Sequence, residues 1–239
     1  ELAVRAAELG YEALALTDHD GVYGSLEFAH AAKHLGVRPI TGAEVTLGGG
    51  GAGFAGAGAE SGAHVTLLCE SQAGYANLCR ILTAAHAGTR RPGREGREPL
   101  PPAVQPETVA ELSEGLVCLS GCAREGLGTR DPNGAARLAQ VFGPDRFYVE
   151  LQRPYARGDA RRNAALRDLA EHLGVETVAT GDVHAHSGRR AVLQDVLVAI
   201  RCRTSLDGCE PERRGNREAV LRAPAEMVER FAGFDRAAA

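Results

Sequence analysis

Six side chains of types that bind metal ions stand at or near the ends of apolar runs in this sequence: His19, Glu44, His64, Cys122, Asp182 and His184. Asp18 and His19 directly follow the run 13–17, Glu44 lies in the run 39–47 just after Gly42, and His64 opens the run 64–69. Cys122 follows 116–120, and Asp182 and His184 follow 177–180. Imidazole and carboxylate donors gathered together suit zinc, manganese or iron better than calcium, which takes oxygen alone. Each residue has an ordinary reading. A single histidine is usually a surface or satisfied residue, Asp-Gly after His19 is turn chemistry, and Cys122 would serve as a small buried hydrophobe. The joint placement at strand ends is what points to a divalent-metal site. His30 and His34 stand four apart on a helix away from those ends and read as a solvated face; His86 and His172 lie late in helices and read as structural.

The elements that must position these residues alternate. Apolar runs at 13–16, 39–47, 64–69, 116–119, 147–151 and 177–179 read as strands. Apolar residues at helical spacing mark helices near 25–35, 73–87, 135–142, 160–173, 190–201 and 225–232. Repeated strand-then-helix units predict parallel strands with crossover helices, hence an α/β sheet or barrel, with the carboxyl ends of the strands converging on one functional face. No repeat of fixed period is present.

The 239 residues carry a formal net charge of −4, with 44% hydrophobic and 24% charged residues. Such a chain can bury a substantial core, and wholesale disorder is excluded. Mild acidity excludes nucleic-acid binding through a bulk positive field, so any polyanion contact must be local or metal-mediated. No apolar run reaches the roughly 18 residues of a membrane span, and no secretory signal is expected. The six cysteines form no CxxC pair, and a reduced cytoplasmic setting without disulfides is expected. The chain starts at Glu1, its one methionine is Met227, and residues 2–9 already read as a helix, which suggests a piece of a longer open reading frame. A glycine- and alanine-rich stretch at 48–63 reads as flexible. The stretch 90–98, with four arginines against two glutamates, reads as a solvated loop, with a phosphate contact as the minority reading.

The strings that carry the candidate ligands are Ala15-Leu16-Thr17-Asp18-His19-Asp20-Gly21, Thr41-Gly42-Ala43-Glu44, His64-Val65-Thr66-Leu67-Leu68, Leu119-Ser120-Gly121-Cys122 and Ala179-Thr180-Gly181-Asp182-Val183-His184. Together they resemble the PHP domain (polymerase and histidinol phosphatase), in the version that begins bacterial C-family DNA polymerases. Tyr75-Ala76-Asn77-Leu78-Cys79 and Phe147-Tyr148-Val149-Glu150-Leu151-Gln152 are similar to that version too. Thr180 to His184, taken with Leu193-Gln194-Asp195-Val196-Leu197, resembles the error-prone branch.

The resemblance implies a distorted (β/α)7 barrel, here truncated at its N-terminus, with up to three divalent metal ions (zinc, manganese or iron) at the carboxyl ends of its strands. His19, Glu44, His64, Cys122, Asp182 and His184 match six of nine ligand positions; the other three, an HxH pair and a downstream acid, would precede Glu1. A barrel without its first strand would be less stable and metal-poor. Asp18 is expected to orient His19 or a neighbouring ligand, and His186 to stand at the rim. Residues 1–186 would form the barrel and 187–239 its last helix and a connector toward a downstream polymerase palm domain.

The implied chemistry is phosphoester hydrolysis by a metal-bound hydroxide, with 3′-end removal from DNA as one form. The implied parent is a DNA polymerase for damage-tolerant synthesis, meeting DNA through its full length and its downstream domains, with no membrane. Polymerisation would need downstream carboxylates, so it is not expected of this segment alone. The alternatives are a free-standing phosphatase of the histidinol-phosphatase kind and a non-catalytic scaffold.

Overall fold

The computed structural model describes residues 1–48, 62–89 and 100–234. The flexibility expected within 48–63 and the phosphate contact considered for 90–98 fall mainly on residues outside that set. The apolar runs become six strands of one curled sheet, β1 (Ala13–His19), β2 (Arg38–Thr46), β3 (His64–Cys69), β4 (Leu116–Leu119), β5 (Phe147–Gln152) and β6 (Thr177–Thr180), neighbours in sequence order. Around it stand α1 (Leu2–Glu8), α2 (Ser25–His34), α3 (Gln72–His86), α4 (Pro106–Glu111), α5 (Leu127–Arg130), α6 (Pro132–Phe142), α7 (Asp159–Leu173), α8 (Ala191–Cys202) and α9 (Pro224–Arg230). Local chemistry sets several ends. Ser71 accepts from the Gly74 amide at 3.1 Å to open α3, Asp131 does the same from Gly134 at 2.9 Å ahead of Pro132 for α6, and left-handed Gly174 closes α7. The short α4 and α5 and a 3-10 helix at Asp207–Glu212 were not expected from the pattern, being too brief to show periodicity.

One expectation is corrected. β3 runs antiparallel to both β2 and β4, whereas β1–β2, β4–β5 and β5–β6 are parallel. Hydrophobic periodicity carries no direction, so a reversed strand is invisible in it. The reversal has a consequence for the site. A residue that opens β3 stands beside residues that close β1 and β2, and this brings His64 to the end of the sheet occupied by His19 and Glu44.

Alternation along each strand sorts its side chains between two faces. Ala43, Val45, Val65, Leu67, Leu116, Cys118, Phe147, Val149 and Leu151 point into the main core with Leu78 and Ile81 of α3, Leu138 of α6 and Leu166 of α7. The alternate positions Glu44, Thr46, His64, Thr66, Glu150 and Gln152 are left on the opposite, inner face. Glu150, Gln152, His64 and Thr66 are nonetheless buried, so this inner face is a polar interior rather than a wet surface.

The outer strands β1 and β6 are joined by side chains and a strap of chain. Val183, just past β6, packs with Leu221 into a second core that also holds Ala3 and Ala6 of α1, Phe28 and Ala32 of α2, and Leu14 and Leu16 of β1. The segment 219–222 runs between the two ends. The His184 amide donates to Ala219 at 2.9 Å, Val220 bridges Ala185, and the Tyr11 hydroxyl donates to the Arg222 carbonyl at 2.7 Å. This strap fixes the turn that carries Asp182 and His184. Among the described residues no helix is long and apolar enough to cross a membrane.

Candidate metal centre

Register places the first three candidates. In the parallel β1–β2 pair His19 stands directly opposite Glu44, and in the antiparallel β2–β3 pair Thr46 stands opposite His64. Glu44 and Thr46 share a face, so Glu44 lies diagonal to His64 and beside His19. His64 Nδ1 is 2.9 Å and His19 Nε2 is 3.6 Å from Glu44 Oε1, and the two imidazoles meet edge to face at 4.6 Å. One donor atom from each of the three lies within 4.8 Å of the others, a group that would fit a single ion. Two imidazoles and a carboxylate suit zinc, manganese or iron, so the donor chemistry fits the expected metal.

The support behind His19 differs from the expectation. Asp18 was expected to orient His19 or a neighbouring ligand, but the alternation of β1 turns neighbouring side chains to opposite faces, and Asp18 accepts from the Gly24 amide at 2.7 Å at the start of α2. Asp20 takes that place instead. It sits just past the strand with φ 48°, its carboxylate 3.4 Å from His19 Nδ1, leaving Nε2 toward the group. The Thr46 amide and hydroxyl each donate to Asp20 at 2.8 Å, and its backbone is held by His86 Nε2 on its carbonyl and by its own amide on Glu44. An imidazole oriented through its other nitrogen by a hydrogen-bonded carboxylate is the arrangement usual behind metal-binding histidines. The Asp20 hydrogen bond raises the His19 pKa, reinforced by Glu44 against the opposing effect of burial. Burial pushes the Asp20 carboxyl up, but the hydrogen bonds from His19 and Thr46 outweigh it and hold it below the usual range. Glu44 follows the same balance, with burial opposed by the His64 hydrogen bond and the His19 charge.

Cys122 is carried to the edge of this group by a close backbone approach. Gly121 has φ 91°, and a Cβ there would lie 2.0 Å from the His64 carbonyl oxygen, so only glycine lets the loop settle on β3. The His64 amide donates to Glu125 at 2.8 Å, locking the loop down. The Cys122 thiol hydrogen-bonds Glu44, and burial together with the Glu44 charge pushes its pKa up to about 12. A bound cation would reverse that preference and favour the thiolate.

Asp182 and His184 form a separate pair on the turn after β6. Asp182 has φ 46°, and its Oδ1 is 3.1 Å from His184 Nε2. Arg214, from the loop after the 3-10 helix, ion-pairs with Asp182 and also contacts His184 Nε2. Burial raises the Asp182 pKa, but His184 and Arg214 outweigh it, and the carboxyl titrates below its usual value. The six candidates are therefore gathered as a trio with Cys122 at its edge, and a pair already engaged by an arginine. His186 is 3.5 Å from the Glu1 carboxylate, which also pairs with Arg190.

Between the two parts stands a buried carboxylate that the candidate ligand set does not include. Glu150 on β5 faces the inner side, 4% exposed, where burial outweighs its hydrogen bonds from Thr180 and Gln152 and, with the charges of Glu44 and Asp182 adding, lifts its pKa to about 7. Its Oε1 accepts from Gln152 Nε2 at 2.8 Å and from the Thr180 hydroxyl, while Oε2 meets no hydrogen-bond partner. Gln152 in turn accepts from the Ala123 amide at 2.8 Å, and the Glu150 amide donates to Ser120 Oγ at 2.9 Å. This buried network ties the Cys122 loop on one side to the strand ahead of Asp182 on the other. The signal that finds it in sequence is the polar alternation Tyr148, Glu150, Gln152 within an otherwise apolar strand.

Error-prone DNA polymerases are similar to the chain: that of Symbiobacterium thermophilum is 37% identical over 99% of this chain and 22% of its own length. For that of Anaeromyxobacter sp. (strain K) the figures are 37%, 98% and 19%. The chain thus spans about a fifth of the length of these relatives. In fold, it is similar to a candidate metal-dependent phosphoesterase from Bifidobacterium adolescentis, at TM-score 0.51 and 14% identity over 76% of this chain and 80% of that one. The profile of the PHP domain matches residues 1–154 of the 239, more than half of the chain, and the chain belongs to the PHP domain family.

Proposed function

We propose that this chain is the N-terminal PHP module of an error-prone DNA polymerase acting in damage-tolerant synthesis, and that its inner face holds divalent metal for phosphoester hydrolysis, with removal of 3′-terminal nucleotides as the reaction. The observation that carries the site is the convergence of His19, Glu44 and His64 within 4.8 Å. A bound divalent ion would supply Lewis-acid stabilisation of phosphoryl oxygens and an activated water. His19 and His64 would present their imidazoles, Glu44 would contribute charge, and Asp20 would keep His19 in the tautomer that offers Nε2. Asp182, His184 and Cys122 would complete the donor set. The parent-protein part rests on the likeness over nearly the whole chain to error-prone polymerases of about five times its length.

Exposed apolar residues on α8, among them Leu193, Leu197 and Ile200, support contact with further domains of a longer protein. A free-standing phosphatase is the weaker reading, because it leaves that apolar face without a partner. A scaffold without catalysis has one observation in its favour, the engagement of Asp182 and His184 by Arg214.

The test is to incubate the full-length protein with 3′-labelled DNA and manganese or zinc, beside a Glu44→Gln variant. Metal-dependent release of terminal nucleotides that Glu44→Gln abolishes, with polymerisation kept, supports the reading. Release unchanged by the substitution overturns it, and no release with metal bound favours the scaffold.

A further inference from the structure

We propose that Arg214 is a built-in cation that competes with metal for the Asp182–His184 pair, so that loading of this half of the centre requires the guanidinium to leave. This inference rests on the reading that the pair belongs to a metal centre. The Arg214 guanidinium engages both carboxylate oxygens of Asp182, with Nη2 3.3 Å from Oδ1, and its Nη2 also meets His184 Nε2. A guanidinium only donates and stays charged at every working pH. The 3.1 Å contact of His184 Nε2 with Asp182 Oδ1 is a hydrogen bond only in the tautomer that carries the proton on Nε2; in the tautomer that accepts from the guanidinium, Nε2 offers Arg214 the lone pair that a metal ion would need. One lone pair serves one acid, so guanidinium and metal exclude each other at this atom.

The contact is sheltered enough to matter. The side chains of Arg214 and Asp182 are 18% and 12% exposed, where a forked charge pair is screened less than at the surface. Arg214 also lies on a loop, between the 3-10 helix and the strap at 219–222, and not within a strand or helix that would fix its position. In the trio His19 and His64 each meet Glu44, and His19 also meets Asp20. Arg201 of α8 acts on His19 through its charge. The two halves of the centre should consequently load unequally, the trio first.

The experiment titrates manganese or zinc into the chelator-treated full-length protein by calorimetry, comparing the unsubstituted chain, Arg214→Gln and Arg213→Gln. Arg213 is the adjacent arginine, with a longer 3.8 Å contact to Asp195, and its removal takes away the same charge without touching the pair. The expected result is a second, weaker binding step that tightens roughly ten- to a hundredfold in Arg214→Gln, the size of losing a charged hydrogen-bonded competitor. Arg213→Gln should change it less than about threefold, the scale of one weak, half-buried charge pair. The gain should vanish when Arg214→Gln is combined with Asp182→Ala. Equal tightening in both arginine variants, or a second step unmoved by Arg214→Gln, would overturn the competition while leaving the metal centre standing. Absence of any second step in all variants would overturn both the competition and the assignment of Asp182 and His184 as ligands.

Discussion

The carboxylate of Asp20 lies 3.4 Å from Nδ1 of His19, next to it in sequence, because the chain turns out of β1 between them with Asp20 in the left-handed region. That turn carries the orientation of the most exposed histidine of the trio, and it is held from behind by Thr46.

Substituting this support should weaken metal binding without removing a ligand. Asp20→Asn is expected to lower affinity roughly ten- to a hundredfold, the range seen when the partner behind a ligating histidine is lost. Thr46→Val, which removes one of the two Thr46 donors to Asp20, should cost less than about tenfold. Calorimetric titration with zinc checks both; full affinity in Asp20→Asn would show that His19 needs no such support.

Gly121→Ala should be among the more destabilising single changes in the barrel. Its Cβ would meet the His64 carbonyl oxygen at 2.0 Å, and φ 91° is disfavoured for alanine on its own account. The backbone strain alone is on the order of 1–3 kcal/mol. Chemical denaturation reads the loss, and a midpoint within error of the parent would mean that the loop docks differently.

Glu150 predicts an unusual pH dependence of stability in the chelator-treated protein. Its folded pKa is raised to about 7, above that of an unfolded glutamate. The folded state therefore holds the proton more tightly, and stability from this group is lost as pH rises from about 4.5 toward 7. The full effect is on the order of 3 kcal/mol. Glu150→Gln, which stays neutral throughout, should flatten the difference in thermal midpoint between pH 5 and pH 8; an identical pH profile in both proteins contradicts the assignment.

The apolar face of α8 should behave differently in long and short contexts. Leu197→Ser and Ile200→Ser change side chains that are 51% and 65% exposed here, so the chain alone should keep its stability within about 0.5 kcal/mol. In the full-length protein the same changes are expected to lower the thermal midpoint, because burial of each side chain is worth about 1.5–3 kcal/mol. Equal indifference in both contexts would mean that no further domain covers this face.

Much of this site could be read in the sequence because ligand types at strand ends are a local signal. The strands from 64 to 69 and from 116 to 119 fall where the pattern places them, and His19, Glu44 and His64 converge. What the sequence hid is three-dimensional. The direction of β3 leaves no trace in its periodicity, although it explains why an opening residue, His64, joins two closing ones. Asp18 and Asp20 look alike as neighbours of His19, and only the exit from the strand decides between them. Arg214 stands 30 residues from its histidine partner, with no motif linking the two.

The central claim is that His19, Glu44 and His64 hold a divalent ion. Elemental analysis of the full-length protein, purified without chelator and compared with a Glu44→Gln, His64→Ala variant of matched folding, tests it most directly. The account predicts at least one equivalent of zinc, manganese or iron in the parent protein and a loss of about one equivalent in the variant. Equal metal content in the two proteins would contradict it.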